Sequence, residues 1–258
     1  MPKTAVLLLL SILISTTVFA QNNRGAVSLT GNDAATCTVP DPCRTFVVAI
    51  SRTNAGGEVI ALSSAGYVPF TVNKSISIIS PLAYHAVRAP ASGDAITVNV
   101  DNAMVVLRGL TLNGSLGGVN GITFTGGSAA SNTRLYVENC VISGFSGEGV
   151  NFARNGALFI SDLVAREDGH AIFVDGSPGL PSSASIDHAL LERDVYDGLR
   201  INNATVAIRD SVAAGNGFVG FMHVRMIQER LRIFPRRIAR RPATSRALLQ
   251  AAVLELHG

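Results

Sequence analysis

The sequence has no tryptophan, four tyrosines, three cysteines and, apart from Lys3, a single lysine at position 74. The shortage of aromatic side chains argues against a groove in which sugar rings stack. The three cysteines are too few for a four-cysteine zinc site, and their spacing does not suit one with two cysteines and two histidines. The chain also lacks a phosphate-binding loop, a His-Glu-x-x-His pair and a calcium-loop signature. We therefore expect no structural metal site and no cofactor-binding site.

The N-terminus has the pattern of a secretory signal peptide. Lys3 gives a positive start, residues 5–14 form an apolar run, and Val18-Phe-Ala20 offers small residues to a signal peptidase. The apolar run is shorter than the ~20 residues that a membrane span needs. The pattern predicts a signal peptide at 1–20, cleaved near Ala20. We expect a secreted, periplasmic or cell-surface protein without a stable membrane span, and a monomer.

Glycine, valine, isoleucine and leucine dominate the middle of the chain, where short apolar strands repeat. One family of strands begins at positions 107, 137, 160, 186 and 208, with spacings of 30, 23, 26 and 22 residues. A second family follows at Gly121, Gly149, Ala171 and Gly198. Repeats of this length without a helical pattern are typical of the coils of a parallel β-helix, in which each coil stacks on its neighbours.

The region before the repeats predicts a capping element. Phe46, Val47, Ala49 and Ile50 give a short helix an apolar face, and Asn54 with the glycines at 56 and 57 is expected to end it. A solenoid end needs such a cap because it exposes apolar surface and unpaired strand edges.

The cysteines divide into a pair and a single residue. Cys37 and Cys43 bracket a proline-rich loop, and we expect them to form a disulfide in an oxidising compartment. Cys140 lies inside an apolar run, and we expect it to be a small buried hydrophobic residue rather than a reactive thiol.

Several segments carry a resemblance to a known family. Pro42-Cys-Arg-Thr-Phe46, the Gly-Gly-Glu-Val-Ile-Ala-Leu run ending at Leu62, and Lys74-Ser-Ile-Ser-Ile78 look like the entry of bacterial exported proteins with right-handed parallel β-helix, pectin-lyase-like repeats. Val137-Glu-Asn-Cys and Ile208-Arg-Asp-Ser are similar to that family's coils. The resemblance covers about residues 28 to 220 and implies an all-β, right-handed parallel β-helix over 21–221 with a short N-terminal capping helix. The family includes polysaccharide lyases, glycoside hydrolases, adhesins and proteins of no known function, and its lyase motifs do not occur in this chain.

Alignment of the repeats places polar residues at one corner of successive coils. Asn139, Asp162, His188 and Asp210 become equivalent, and Asp187 precedes that corner in its coil. Asp162 and Asp210, two coils apart, would be separated by ~10 Å at the usual strand spacing. This is near the ~9.5 Å upper limit for the carboxylates of an inverting glycosidase. The alternative is structural, because Asn and Asp commonly accept backbone hydrogen bonds at turns.

A second group of charged residues lies on predicted loops. Asp168 and Asp194 are the carboxylates of this group, and His170 is close by. They are catalytic candidates because loops carry functional residues more often than core strands do. Asp162, Asp187, His188 and Asp210 are further candidates, from the aligned corner. The alternative is a mixed-charge surface that is simply solvated.

The composition changes after residue 221. Residues 222–258 contain eight arginines and two acidic residues, whereas residues 21–221 carry a net charge of −4. This basic segment is either out of register with the ancestral coding frame, or an irregular or helical cap of the solenoid, or a binder of anionic surfaces. We expect no nucleic-acid partner, since the segment lacks interleaved aromatic residues that would stack on bases.

These observations favour an exported, non-catalytic surface or matrix β-helix protein that binds a carbohydrate polymer. A polysaccharide lyase or glycoside hydrolase is the alternative, with Ca²⁺ as the expected cofactor if it is a lyase. The third hypothesis is a truncated or frame-disrupted product without a selected activity.

Overall fold

Each repeat of the sequence forms one coil of three short parallel strands, and the coils stack to give three parallel sheets. The computed structural model describes residues 22–81, 85–88, 92–126, 132–176, 182–224 and 231–234. The predicted signal peptide and residues 225–230 and 235–258 of the basic segment lie outside the described residues. The all-β parallel solenoid expected from the repeats is confirmed.

Strands are numbered β1 to β22 along the chain. The first sheet contains, in order, Asn22–Val27 (β1), Thr53–Ala61 (β2), Ile76–Ile79 (β4), Met104–Arg108 (β7), Arg134–Glu138 (β10), Gly156–Ser161 (β13), Ser182–Asp187 (β16), Ala204–Arg209 (β19) and Leu231–Phe234 (β22). The second contains His85–Arg88 (β5), Leu110–Asn113 (β8), Val141–Ser143 (β11), Val164–Arg166 (β14), Leu190–Glu192 (β17) and Val212–Ala214 (β20). The third contains Phe70–Val72 (β3), Ile96–Val98 (β6), Ile122–Phe124 (β9), Glu148–Phe152 (β12), His170–Asp175 (β15), Leu199–Asn202 (β18) and Phe221–Val224 (β21).

The register of the first sheet agrees with the alignment made from the sequence. Val137 pairs with Ile160, Ile160 with Ile186, and Ile186 with Ile208. Each of these side chains is buried inside the solenoid, while the alternate residues of the same strands point outward. Burial of an aliphatic side chain contributes about 1.5–3 kcal/mol. A slip of one residue would expose this row, which explains why the pairing is uninterrupted.

The N-terminal end of the solenoid is covered by a loop and a helix. Cys37 and Cys43 form the expected disulfide. The loop they close lies along the outer edge of β1, where the backbone of Ala26 donates to Cys37 O at 2.7 Å and accepts from Cys43 N at 3.0 Å. The helix α1, Phe46–Arg52, buries Phe46 and Ile50 against the first coil. The cap therefore provides hydrogen-bond partners for backbone groups of β1, which would otherwise be an open edge strand.

The expected end of this helix was wrong by a few residues. Helix α1 ends at Arg52, and Thr53 already has extended backbone and begins β2. Gly57, which we expected to help end the helix, lies in that strand, and a Cβ there would lie 2.6 Å from the carbonyl oxygen of Asn23. This glycine permits the close approach of β1 rather than a helix terminus.

The basic segment contributes strands to the solenoid. β21, which begins at the predicted boundary, pairs with β18, and β22 pairs with β19. Thus at least residues 222–224 and 231–234 extend two of the sheets. Among the described residues, no helix is long and apolar enough to cross a membrane.

Candidate functional site

The predicted polar corner is a row of left-handed backbone positions. Asn139, Asp162, His188 and Asp210 have φ angles of 50°, 54°, 51° and 47°, and Gly109 takes the same position one coil earlier with a φ of 70°. Glycine, Asn and Asp adopt this conformation most readily, so the backbone geometry of the corner explains why these residue types occur there. The structural interpretation accounts for the Asn and Asp residues without a catalytic role.

Three of the predicted site residues come together at this corner. Ligand atoms of Asp187, His188 and Asp210 all lie within 4.8 Å of one another, a residue set that suits a divalent metal ion. However, His188 Nδ1 lies 2.9 Å from Asp187 Oδ1, and Arg209 forms an ion pair with the same carboxylate. Hydrogen bonding from Arg209 holds the pKa of Asp187 below its usual range. The charge of Asp187 is therefore already balanced by protein groups.

Asp168 and Asp194 are inside the solenoid, so the alternative of a solvated loop surface was wrong for these two carboxyls. Their exposed fractions are 0% and 2%. Burial raises the pKa of Asp168 to about 8, with a further contribution from the charge of Asp194. Burial likewise raises the pKa of Asp194 to about 7, and Glu192 adds to the effect. Neither carboxyl faces a surface where a polymer could reach it.

A different cluster lies at the start of the third-sheet strands, where His170 and Glu148 are partly exposed and Asp197 is buried. His170, at the start of β15, lies between two carboxyl groups. Its Nδ1 is 3.6 Å from Glu148 Oε1, and its Nε2 is 3.6 Å from Asp197 Oδ2. Glu148 begins the neighbouring strand β12, and Asp197 precedes β18. The parallel register thus brings a histidine and two acids from three consecutive coils to one edge.

Aromatic rings extend from this cluster along the stack of coils. The ring centroid of Tyr196 lies 5.1 Å from that of His170 and 5.8 Å from that of Phe218. Tyr196 is 45% exposed and Phe218 is 69% exposed. Phe173, on the outer face of β15, lies 6.1 Å from His170. We call His170, Tyr196 and Phe218 the aromatic strip.

Buried polar atoms without a hydrogen-bond partner in the protein gather on the same sheet. Among the described residues, five of them belong to outward-facing or strand-start positions of β9, β12, β15 and β18. They are Thr123 Oγ1, Asn151 Oδ1, His170 Nε2, Arg200 Nε and Asn202 Oδ1. These atoms are themselves buried, but the side chains of Asn151, Arg200 and Asn202 that carry three of them are partly exposed on the outward-facing positions of β12 and β18. We call the aromatic strip together with these residues the third-sheet face.

Most of this face was missed by the sequence analysis. The sequence pattern places His170 near the loop carboxylates but does not single out Glu148, Asp197, Tyr196 or Phe218. A signal was present, because Tyr196 and Phe218 are 22 residues apart, which is one of the spacings of the repeat. Also, Glu148 and Asp197 each precede a glycine that starts a strand of the second family.

Comparison with solved structures finds the crystal structure of pectate lyase Pel9A. The match has a TM-score of 0.50 and 15% sequence identity, and it covers 79% of this chain and 68% of the other. No family model matches the sequence, and no curated protein matches it. The structural likeness shows a pectin-lyase-like β-helix fold. It shows the fold alone, because the fold supports many activities.

Proposed function

We propose that the chain is an exported, non-catalytic surface or matrix protein that binds a carbohydrate polymer along the third-sheet face. The observation that carries this proposal is the row of neighbouring rings on consecutive coils, of which Tyr196 and Phe218 are exposed, on the same sheet as partly exposed outward-facing polar side chains. The low aromatic content of the sequence argues against sugar stacking, but the fold brings the exposed rings of Tyr196 and Phe218 together on consecutive coils. Aromatic rings offer an apolar surface to the faces of sugar rings, and sugar hydroxyl groups need hydrogen-bond donors and acceptors around them.

The direction of the aromatic strip supports a polymer rather than a small sugar. His170, Tyr196 and Phe218 come from three consecutive coils, so the strip runs along the solenoid axis. A ligand that occupies it contacts one coil after another. We expect affinity to rise with chain length until the strip is filled, because each added contact acts within the same complex.

A binding experiment with matched variants tests this proposal. The mature chain is measured against a panel of polysaccharides and oligosaccharides, and Tyr196→Ala and Phe218→Ala are compared on any ligand found. Each variant should weaken binding about tenfold, which corresponds to about 1.4 kcal/mol of lost contact.

The control variant is Tyr136→Ala. Tyr136 stacks on Phe159 at 4.7 Å on the outer face of the first sheet, away from the aromatic strip. Its replacement should leave the affinity unchanged. If Tyr136→Ala weakens binding while Tyr196→Ala does not, the polymer occupies the first sheet and the proposed face is wrong.

A polysaccharide lyase or glycoside hydrolase is the second candidate. The position of His170 between Glu148 and Asp197 favours it, since a base next to carboxylates is one arrangement for proton transfer. For a lyase, Ca²⁺ would be the expected cofactor, held by carboxylates. Incubation with the bound polymer, with Ca²⁺ and with a chelator, followed by detection of unsaturated ends and of reducing ends, separates lyase, hydrolase and binder. Turnover that His170→Gln abolishes would replace the non-catalytic proposal.

A further inference from the structure

The two buried carboxyls belong to a row of side chains that ties successive loops together. Asp168 Oδ1 accepts a hydrogen bond from the Phe145 amide at 2.8 Å, and Asp194 Oδ1 accepts one from the Asp168 amide at 3.1 Å. In the next coil, Asn216 Oδ1 accepts from the Asp194 amide at 2.9 Å. The three successive loops that contain Phe145, Asp168 and Asp194 are thus each held by the side chain of the following loop.

These loops position the aromatic strip. His170 follows Asp168 by two residues, and Tyr196 follows Asp194 by two residues. The Tyr196 amide donates to the carbonyl of Gly169 at 2.8 Å, so the two loops also share a backbone contact. Any opening of the row of buried carboxyls therefore displaces the rings that the strip exposes.

The surroundings of the carboxyls oppose their ionisation. The second oxygen of each, Asp168 Oδ2 and Asp194 Oδ2, is buried without a hydrogen-bond partner. The negative charges of Asp194 and Glu167 raise the pKa of Asp168, and that of Glu192 raises the pKa of Asp194, while the backbone amide hydrogen bonds to the two carboxyls act in the opposite direction but are outweighed by burial. The previous coil offers Phe145 and the next coil offers the neutral Asn216 at the equivalent position. Arg193 is engaged at the surface with Glu167 at 3.2 Å.

We propose that Asp168 and Asp194 form a pH-sensitive device that positions the aromatic strip. With neutral carboxyls the loops stay closed and the strip is assembled. Ionisation places a charge in an apolar interior, which is relieved when the loops open and admit water. The coupling to a ligand rests on the proposed function, whereas the pH dependence of the loops does not.

The sign of the effect follows from the direction of the shifts. An Asp carboxyl in an unfolded chain has a pKa of about 3.9. The pKa values of both groups are raised in the folded chain, to about 8 and about 7. The folded state therefore binds more protons than the unfolded state between about pH 4 and pH 8. The stability that depends on these carboxyls is present below about pH 4 and is lost as the pH rises through 7 to 8.

Asparagine is a suitable replacement because the row already contains one. Asn216 keeps the hydrogen bond to the preceding loop and donates from Nδ2 to the carbonyl of Leu191 at 3.3 Å. The register places Ala165 and Ile142 at the positions equivalent to Leu191 in the earlier coils. Their carbonyls are the expected acceptors for an asparagine at 194 or 168.

The test compares the mature wild-type chain with Asp168→Asn, Asp194→Asn and the double variant from pH 4 to pH 9. Thermal melting and hydrogen exchange of residues 166–197, corrected for intrinsic exchange, are measured without any ligand. In wild type, the equilibrium constant for loop opening should rise by up to about tenfold per pH unit and per ionising carboxyl. The variants should lose this dependence and melt above wild type at pH 8.

Asp162→Asn is the matched control, because it removes an exposed carboxylate at a corner and should keep the wild-type profile. Histidines titrate in the same range, so the result is the difference between wild type and the Asn variants. If the pH profiles of loop opening are parallel in wild type and both single variants, the inference is overturned. If only one of the variants folds, its pH profile alone decides between these outcomes.

Polymer binding separates this inference from the proposed function. If no polymer binds at any pH while the Asn variants flatten the profile, the proposed function fails and the carboxyl device stands. If a polymer binds wild type and the double variant with the same pH dependence, the device does not position the strip and the inference is overturned.

Discussion

The left-handed corner that follows β7, β10, β13, β16 and β19 is an example of a residue type selected by backbone conformation. Asp162 and Asp210 occupy positions of positive φ, which a side chain branched at Cβ adopts only with strain. Their candidacy as an acid/base pair rested on the expected separation. The corner supplies a sufficient reason for their identity without reference to a substrate.

Substitutions at position 162 test this interpretation. Asp162→Gly should leave the free energy of unfolding within about 1 kcal/mol of wild type, because glycine adopts the left-handed conformation freely. Asp162→Val should lower it by about 1–2 kcal/mol, because its branched Cβ opposes that conformation. Urea denaturation measures both, with Ser161→Val on the adjacent strand position as the control. Equal stability of the Gly and Val variants would contradict the role assigned to the corner.

Cys140 behaves as its apolar neighbours in the sequence suggested. It is a free cysteine, 1% exposed, and burial raises the pKa of its thiol to about 11. A thiol in this state is a poor nucleophile at neutral pH. The prediction of a small buried hydrophobic residue is confirmed.

The N-terminal cap is the element that protects one end of the solenoid. The disulfide loop occupies the backbone groups of β1, and helix α1 covers apolar side chains below it. The N-cap of the helix is Thr45, and the carboxylate of Asp33 accepts from the amides of Arg44 and Thr45, at 2.9 Å each. The loop and the helix are therefore joined into one capping unit.

Removal of the disulfide should weaken this unit. Replacement of Cys37 and Cys43 by serine opens a seven-residue ring and should cost about 2 kcal/mol from chain entropy. Thermal melting of the double variant and of reduced wild type should give matching losses, and a reductant should have no effect on the variant. A cap that is unaffected by both treatments would show that the hydrogen bonds along β1 suffice.

The C-terminal end of the solenoid depends on a segment whose composition differs from the coils. The predictions for residues 222–258 were an out-of-register tail, a cap or an anion-binding segment. β21 and β22 pair with β18 and β19, so parts of this segment complete two sheets. We propose that the segment protects the last coils, whatever its origin.

Truncation tests this proposal. A chain of residues 21–221 lacks β22 and most of β21, and should melt at a lower temperature or aggregate, because it exposes the edges of β18 and β19. A chain of residues 21–234 keeps both strands and separates their contribution from that of residues 235–258. Circular dichroism with thermal melting is the measurement. Identical cooperative melting of 21–221 and 21–258 would make the segment dispensable and would favour the out-of-register hypothesis.

The spacing of the apolar residues was enough to predict the fold and most of its register. A strand buries alternate side chains, and stacked coils repeat that pattern at nearly constant intervals, so the sequence alone aligns Val137, Ile160, Ile186 and Ile208 as they pair in the structure. The corner residues followed from the same alignment, because they sit at a constant distance from the buried row. Helix α1 and the disulfide were also accessible, since they depend on contacts that are local in sequence.

The third-sheet face was decided by tertiary structure. Asp168 and His170 are two residues apart, yet the carboxyl of Asp168 is fully buried and the imidazole of His170 is partly exposed between Glu148 and Asp197. The ring of Tyr196 contacts those of His170 and Phe218, which are more than 20 residues away in sequence, so the strip exists only in the folded chain. The repeat spacing predicts which residues occupy equivalent positions in successive coils. The backbone path of each loop decides whether their side chains are buried or exposed. The burial and the electrostatic surroundings of each site residue depend on side chains from several coils, and only the stacked structure brings those coils together.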